Sequence, residues 1–200
     1  NNHRRESLLT KIFQIIHYLN DTIKQTFTNT EIFKIFQSNK KILLFLFKNK
    51  IITIDDNIYN FLVHSNDPNG NRYCHFFYPE IKEFIGEQET EEIKNELLSI
   101  DSNIFDQFGQ KREEGENDNY ICSLIRTDSV EEFISYVNQC NYPLESKIRS
   151  SIFETNQYLM ENTPTLIEYS AFFGSIQIFQ YLQMNNVHLS PFLWLYTIHS

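Results

Sequence analysis

Two hundred residues, with 41% hydrophobic and 15% aromatic side chains, suffice for one compact domain or a short repeat array and exclude disorder throughout. A formal net charge of −9 argues against a nucleic-acid partner, since phosphate neutralisation needs a basic face. No apolar run approaches the roughly 20 residues of a membrane span, so no membrane partner is expected. The longest, Ile42 to Phe47, is closed at both ends by lysines and reads as a buried helix. Lys40, Lys41, Lys48 and Lys50 read as the solvated edges of that helix.

In chain order, Leu8, Ile12, Ile15, Ile16, Leu19 and Ile23 fall at helical steps of three and four. Asn29 or Thr30 is positioned to cap a second helix through Ile32, Phe33, Ile35 and Phe36, with Glu31 in its first turn. Ser38-Asn39 breaks it, and a third runs from Lys41 to Lys48. Ile51 to Ile54 is β-prone but too short to need a sheet. Asp55 or Asp56 caps the next helix, and Asp67-Pro68-Asn69-Gly70 is a turn. Pro79 starts a short helix to Phe84, and Thr90 opens one that reaches Leu98. Residues 109–119 are polar and contain glycine, which reads as a linker or long loop. Helical spacing returns at Ile121 to Ile125, Val130 to Val137, Leu166 to Phe173 and Ser175 to Met184. The expected class is all-α.

The recurring unit is a short helix, a tight turn at Gly, Asn or Asp, and a second helix. Its sharpest copy runs from Thr165 to Leu182, with the only alanine of the chain, Ala171, three residues before Gly174. A close helical hairpin needs small residues there, and glycine turns left-handed without a Cβ penalty. Leu166-Ile167-x-Tyr169-Ser170 is echoed 27 positions later by Leu193-Trp194-x-Tyr196-Thr197. Weaker copies run from Ile121 to Val137 and from Ile32 to Phe47.

The stretch 165–182 resembles the ankyrin repeat, which carries Thr-Pro-Leu-His, two alanines, two variable residues and glycine. Thr165, Ile167, Ser170, Ala171, Gly174, Ile176, Phe179 and Leu182 match that pattern in kind, while Leu166 and Glu168 replace its Pro and His. Lys111-Arg112-Glu113-x-Gly115-Glu116-Asn117-Asp118 through Phe179, with Asn39 to Leu46 upstream, is similar to a large group of protist ankyrin-repeat proteins. The resemblance implies helical hairpins stacked as a solenoid with degenerate N-terminal units. Residues 1–117 would be a helical N-terminal region, with a degenerate hairpin at about 30–55 and a loop-rich insert at 65–117. Residues 118–200 would be ankyrin-like repeats, cut short at the C-terminus of what reads as a fragment.

The resemblance also implies that Phe172 and Phe173, at the variable positions, face a protein partner as paired aromatic anchors. The alternative is that they pack on the connection 141–162. His64, Cys74 and His75 lack the convergent spacing of a zinc site, and Glu113, Glu114, Glu116 and Asp118 lack that of a calcium loop. Three cysteines without a Cys-x-x-Cys pair read as reduced thiols of an intracellular, cytoplasmic protein. Neither a phosphate loop nor a nucleophile motif is present. The expected function is therefore a non-enzymatic, monomeric interaction scaffold without catalytic residues, metal or cofactor, gripping an unidentified protein. The competing expectation makes residues 1–117 a catalytic or regulatory domain with repeats appended; a third has the N-terminal helices cap the solenoid.

Overall fold

The computed structural model describes residues 2–64 and 73–198, and among them the regular structure is helical. The only β-type pairing is an isolated bridge between Lys147 and Thr165 among the described residues. The turn expected at residues 67–70 lies outside them. Two compact units emerge. An N-terminal unit holds Leu9–Glu116 together with Ile152–Gln157; a hairpin unit is built on Asn117–Ser151 and the chain from Tyr158 on.

The N-terminal unit takes in α1 (Asn2–Tyr18) from Leu9 on and α2 (Asn20–Thr26). Leu9, Ile12, Phe13 and Ile16 join the core, while Leu8, Ile15 and Leu19 stay exposed. Half of the expected stripe, Ile12, Ile16 and Ile23, therefore faces the core, joined there by Leu9 and Phe13. Two apolar rows run side by side on α1, and Phe13, stacked on Phe45 at 4.5 Å, selects the inner one. Of the three residues by which the N-terminal helices would cap the following hairpin, Leu8, Ile12 and Leu19, only Ile12 packs against its core.

That hairpin is α3 (Asn29–Phe36) and α4 (Lys40–Lys48). Its first helix is capped by Thr28, one residue ahead of the expected Asn29 or Thr30. The Thr28 hydroxyl accepts the Glu31 N–H at 3.3 Å, and Glu31 accepts the Thr28 N–H at 2.8 Å, a reciprocal capping box. Asn29 instead reaches the β-prone stretch: its amide donates to the Thr53 carbonyl at 2.7 Å and its oxygen accepts the Thr53 N–H at 2.9 Å. One side chain thereby serves the backbone that a partner strand would have served. Asp55 caps α5 (Asp56–His64) through the Ile58 N–H.

The expected loop-rich insert is largely helical where it is described: α6 (Tyr73–Phe76), α7 (Tyr78–Ile81), α8 (Glu87–Ile100) and α9 (Phe108–Glu114). Charge along α9 hid its inner face, where Phe108 and Arg112, four residues apart, are both buried. The expected linker at 109–119 is therefore a helix and a tight turn. At that turn Gly115 has φ +66°, and an added Cβ would lie 2.5 Å from Lys41 Cε and 2.8 Å from Thr155 Oγ1.

In the hairpin unit, α10 (Tyr120–Arg126) pairs with α11 (Val130–Gln139), and α13 (Leu166–Phe173) with α14 (Ile176–Met184). First helix packs on first, α10 on α13; second packs on second, α11 on α14; α15 (Leu193–Ile198) packs on α13. The intervening α12 (Gln157–Asn162) fills part of the stretch expected to be irregular. Residues 146–148 return beside the start of α13, the Ile148 N–H donating to the Pro164 carbonyl at 2.7 Å.

Gly174 has φ +70° with nothing near a would-be Cβ, so Gly174→Ala should cost only the left-handed penalty of about 1–2 kcal/mol. Gly115→Ala adds overpacking, about 1–3 kcal/mol more. Urea titration of the two variants should rank them in that order, and equal midpoints would contradict the packing described. At α3, bonds from the Thr28 N–H and hydroxyl hold the Glu31 carboxyl below its ordinary value. Its stabilisation is present above the unfolded value of about 4.3 and is lost as pH falls through the lower folded value. Amide exchange at the start of α3 should accelerate on acidification, and Glu31→Gln should flatten that dependence.

Candidate functional site

Thr165, named from the sequence only as a match to the repeat pattern, caps α13, and its partner is Glu168, the residue that replaces the expected His. Glu168 accepts the Thr165 N–H at 2.8 Å and its hydroxyl at 3.0 Å, closing a second capping box. The Tyr196 hydroxyl of α15 also bonds to Glu168; burial first, and that carboxylate second, push the phenol well above its ordinary value. The substituted glutamate thus serves the cap of its own helix and a tyrosine of the next.

Ile167 and Leu182 are fully buried, and the Ser170 hydroxyl donates to the Leu166 carbonyl at 2.8 Å inside the core. Ala171 and Phe179 are partly buried against the same cluster, while Ile176 stands 65% exposed. The expectation of paired exposed anchors is corrected at Phe172, which is only 1% exposed. Phe173 is half-buried, its ring 4.6 Å from that of Tyr169. The physical reason is that α13 packs on α10, α14 and α15, so that of two residues about 100° apart around the helix one is turned inward.

Two ties between the hairpins escaped the sequence reading. Asp128, in the left-handed turn between α10 and α11 (φ +52°), reaches the start of α14. Its two carboxylate oxygens accept the Gln177 and Ile178 N–H groups, each at 3.0 Å. An N-terminal end and a carboxylate are electrostatically matched as well as hydrogen-bonded. The buried Ser175 hydroxyl donates back to the Ile125 carbonyl. A third tie, from the His188 N–H to Glu145 at 2.8 Å, joins the hairpin exits. A Ser or Asp near a turn is common, and only the partner position reveals these roles.

The N-terminal unit holds charged groups under aromatic rings. Lys40, expected on a solvated edge, is fully buried. Its ammonium donates to the carbonyls of Ile152 and Glu154, at 3.4 and 3.3 Å, and lies near the Tyr73 and Phe76 rings. The Asn39 cap starts α4 one residue earlier than expected, at Lys40 itself. Arg112 donates to Glu80 at 2.6 Å and lies over the Phe76, Phe77 and Phe108 rings. The buried ring of His75 meets Glu96 at 2.9 Å. Sealed in this way, Lys40 and Arg112 act as structural cations.

Among the described residues, no group of three His, Cys, Asp or Glu is placed to hold a metal ion. Of the acidic run, Glu113 pairs with Lys48, Glu114 accepts from Gln110, and Asp118 accepts from Ser151. No described helix is long and apolar enough to cross a membrane. Exposed apolar side chains of the hairpin unit include Tyr120, Met184, Phe192, Trp194 and Ile198. No family model, no curated protein and no solved structure matches the chain.

Asp128→Ala should remove the α14 cap, costing about 0.5–2 kcal/mol. Hydrogen exchange at Gln177 and Ile178 should rise with it, whereas Asp128→Asn should keep much of the protection. Unchanged exchange in Asp128→Ala would mean that the cross-hairpin bonds contribute nothing.

Proposed function

We propose that the chain is a non-enzymatic protein-interaction scaffold in which residues 118–200 form ankyrin-like repeats stacked as a solenoid. The observation that carries this reading is the like-on-like packing of α10 on α13 and α11 on α14. Each hairpin leaves an apolar face that its neighbour covers, the physical basis of a repeat array. The Asp128 and Ser175 ties, each crossing from one hairpin to the next, support it further.

In this reading α3 and α4 are a degenerate unit built by the same rules. Thr28-x-x-Glu31 opens it as Thr165-x-x-Glu168 opens α13. The second helices also end alike. Lys50, Asn141 and Asn186 take the left-handed conformation after α4, α11 and α14. The following Ile51, Tyr142 and Val187 N–H groups bond back to Leu46, Val137 and Leu182.

The partner is a protein held by shape and a few anchors. With Phe172 in the core, the anchoring role moves to exposed apolar residues, Tyr120 and Trp194 foremost. The test is affinity capture from cell lysate with mass spectrometry, comparing the parent chain with Tyr120→Ala/Trp194→Ala. A protein retained by the parent and lost by a variant of unchanged circular dichroism supports the scaffold. Failure of every captured protein to respond to these or other surface substitutions sinks it.

A further inference from the structure

Ile152–Gln157 is separated in sequence from the rest of the N-terminal unit yet is held by it as a groove holds a peptide. The main chain is gripped at three points. The Lys40 ammonium donates to the carbonyls of Ile152 and Glu154, and the Gly115 carbonyl accepts the Thr155 N–H at 3.1 Å. The side chains are read separately. Ile152 and Phe153 sink among Tyr78, Leu97, Ile104 and Phe108, with the Phe108 and Phe153 rings 5.3 Å apart and edge-on. Lys111 sits over the Phe153 ring at 5.3 Å. The Thr155 hydroxyl donates to the Gly115 carbonyl at 2.7 Å, at a spot where any side chain on residue 115 would collide with it. Glu154 shapes the segment from within, its carboxylate accepting the Asn156 N–H at 2.7 Å.

Main-chain capture combined with pockets for particular side chains is how a groove recognises a peptide: the first supplies affinity, the second specificity. We propose that the N-terminal unit is a peptide receptor whose resident, intramolecular ligand is Ile152–Gln157. The groove takes a partner segment of matching chemistry, with two adjacent large apolar residues, the second aromatic, followed by an acidic and then a hydroxyl residue. This deepens the scaffold reading and rests on it. The tether presents the resident segment at an effective concentration on the order of millimolar, so an outside segment enters only by outcompeting it.

The probe is a fluorescein-labelled synthetic peptide, Ser-Ile-Phe-Glu-Thr-Asn-Gln, followed by polarisation against the full chain. Phe153→Ala weakens the resident segment and should bind the probe saturably, at least tenfold more tightly than the parent chain. Adding Lys40→Met, which removes the carbonyl grip, should weaken that binding at least tenfold, and a probe with Ser in place of Phe should not bind. If Phe153→Ala does not fold, Phe153→Leu carries the same comparison. A folded variant that ignores the probe at millimolar concentration, or binds it equally without Lys40, overturns the receptor. Loss of probe binding alone, with the partner captured through Tyr120 and Trp194 retained, overturns only this inference; loss of both overturns the scaffold reading.

Discussion

Apart from α1 and α8, no described helix exceeds ten residues. Isolated helices shorter than about 12–15 residues are marginal in water, because nucleation fixes several dihedrals for the first hydrogen bond. Each of these segments therefore depends on what closes its ends and covers its face. Short helices also place many end groups close together, each needing a partner. The capping boxes at Thr28 and Thr165, and the left-handed residues at Lys50, Asp128, Asn141, Gly174 and Asn186, answer that need locally.

Where local atoms run out, distant ones substitute. Asp128 caps a helix that begins 48 residues later in the chain, and Ser175 returns a hydroxyl to a carbonyl of α10. A buried ammonium at Lys40 serves carbonyls more than a hundred residues away. Such groups are costly to bury alone and tolerable only when several acceptors and ring faces converge on them. The same group that completes one end thus ties separate parts of a unit together.

This division explains what the sequence discloses. Helical spacing locates α10, α11, α13 and α14, because each shows its inner face within a few turns. Gly174 and Ala171 are legible because glycine and small residues have a specific use at a close hairpin turn. Phase and burial are harder. Leu8 and Leu9 are equally apolar, and only the stack of Phe13 on Phe45 decides which row faces inward. Lys40 beside Lys41 resembles any solvated pair until the returning segment at 152–157 is known. Phe172 and Phe173 resemble twin anchors until the helices packed on α13 bury one of them. Local pattern fixes the elements, whereas the interaction surface depends on non-local partners.

The return of Ile152–Gln157 to the N-terminal unit also sets a schedule for synthesis. When Glu116 has been made, Phe153 and the carbonyls that serve Lys40 have still to be synthesised. They follow about forty residues later. At the usual 5–20 residues per second this is a delay of roughly 2–8 s. During that interval the hairpin α10–α11 is translated in full. The chain therefore has a window in which its second part can begin to form before its first is finished.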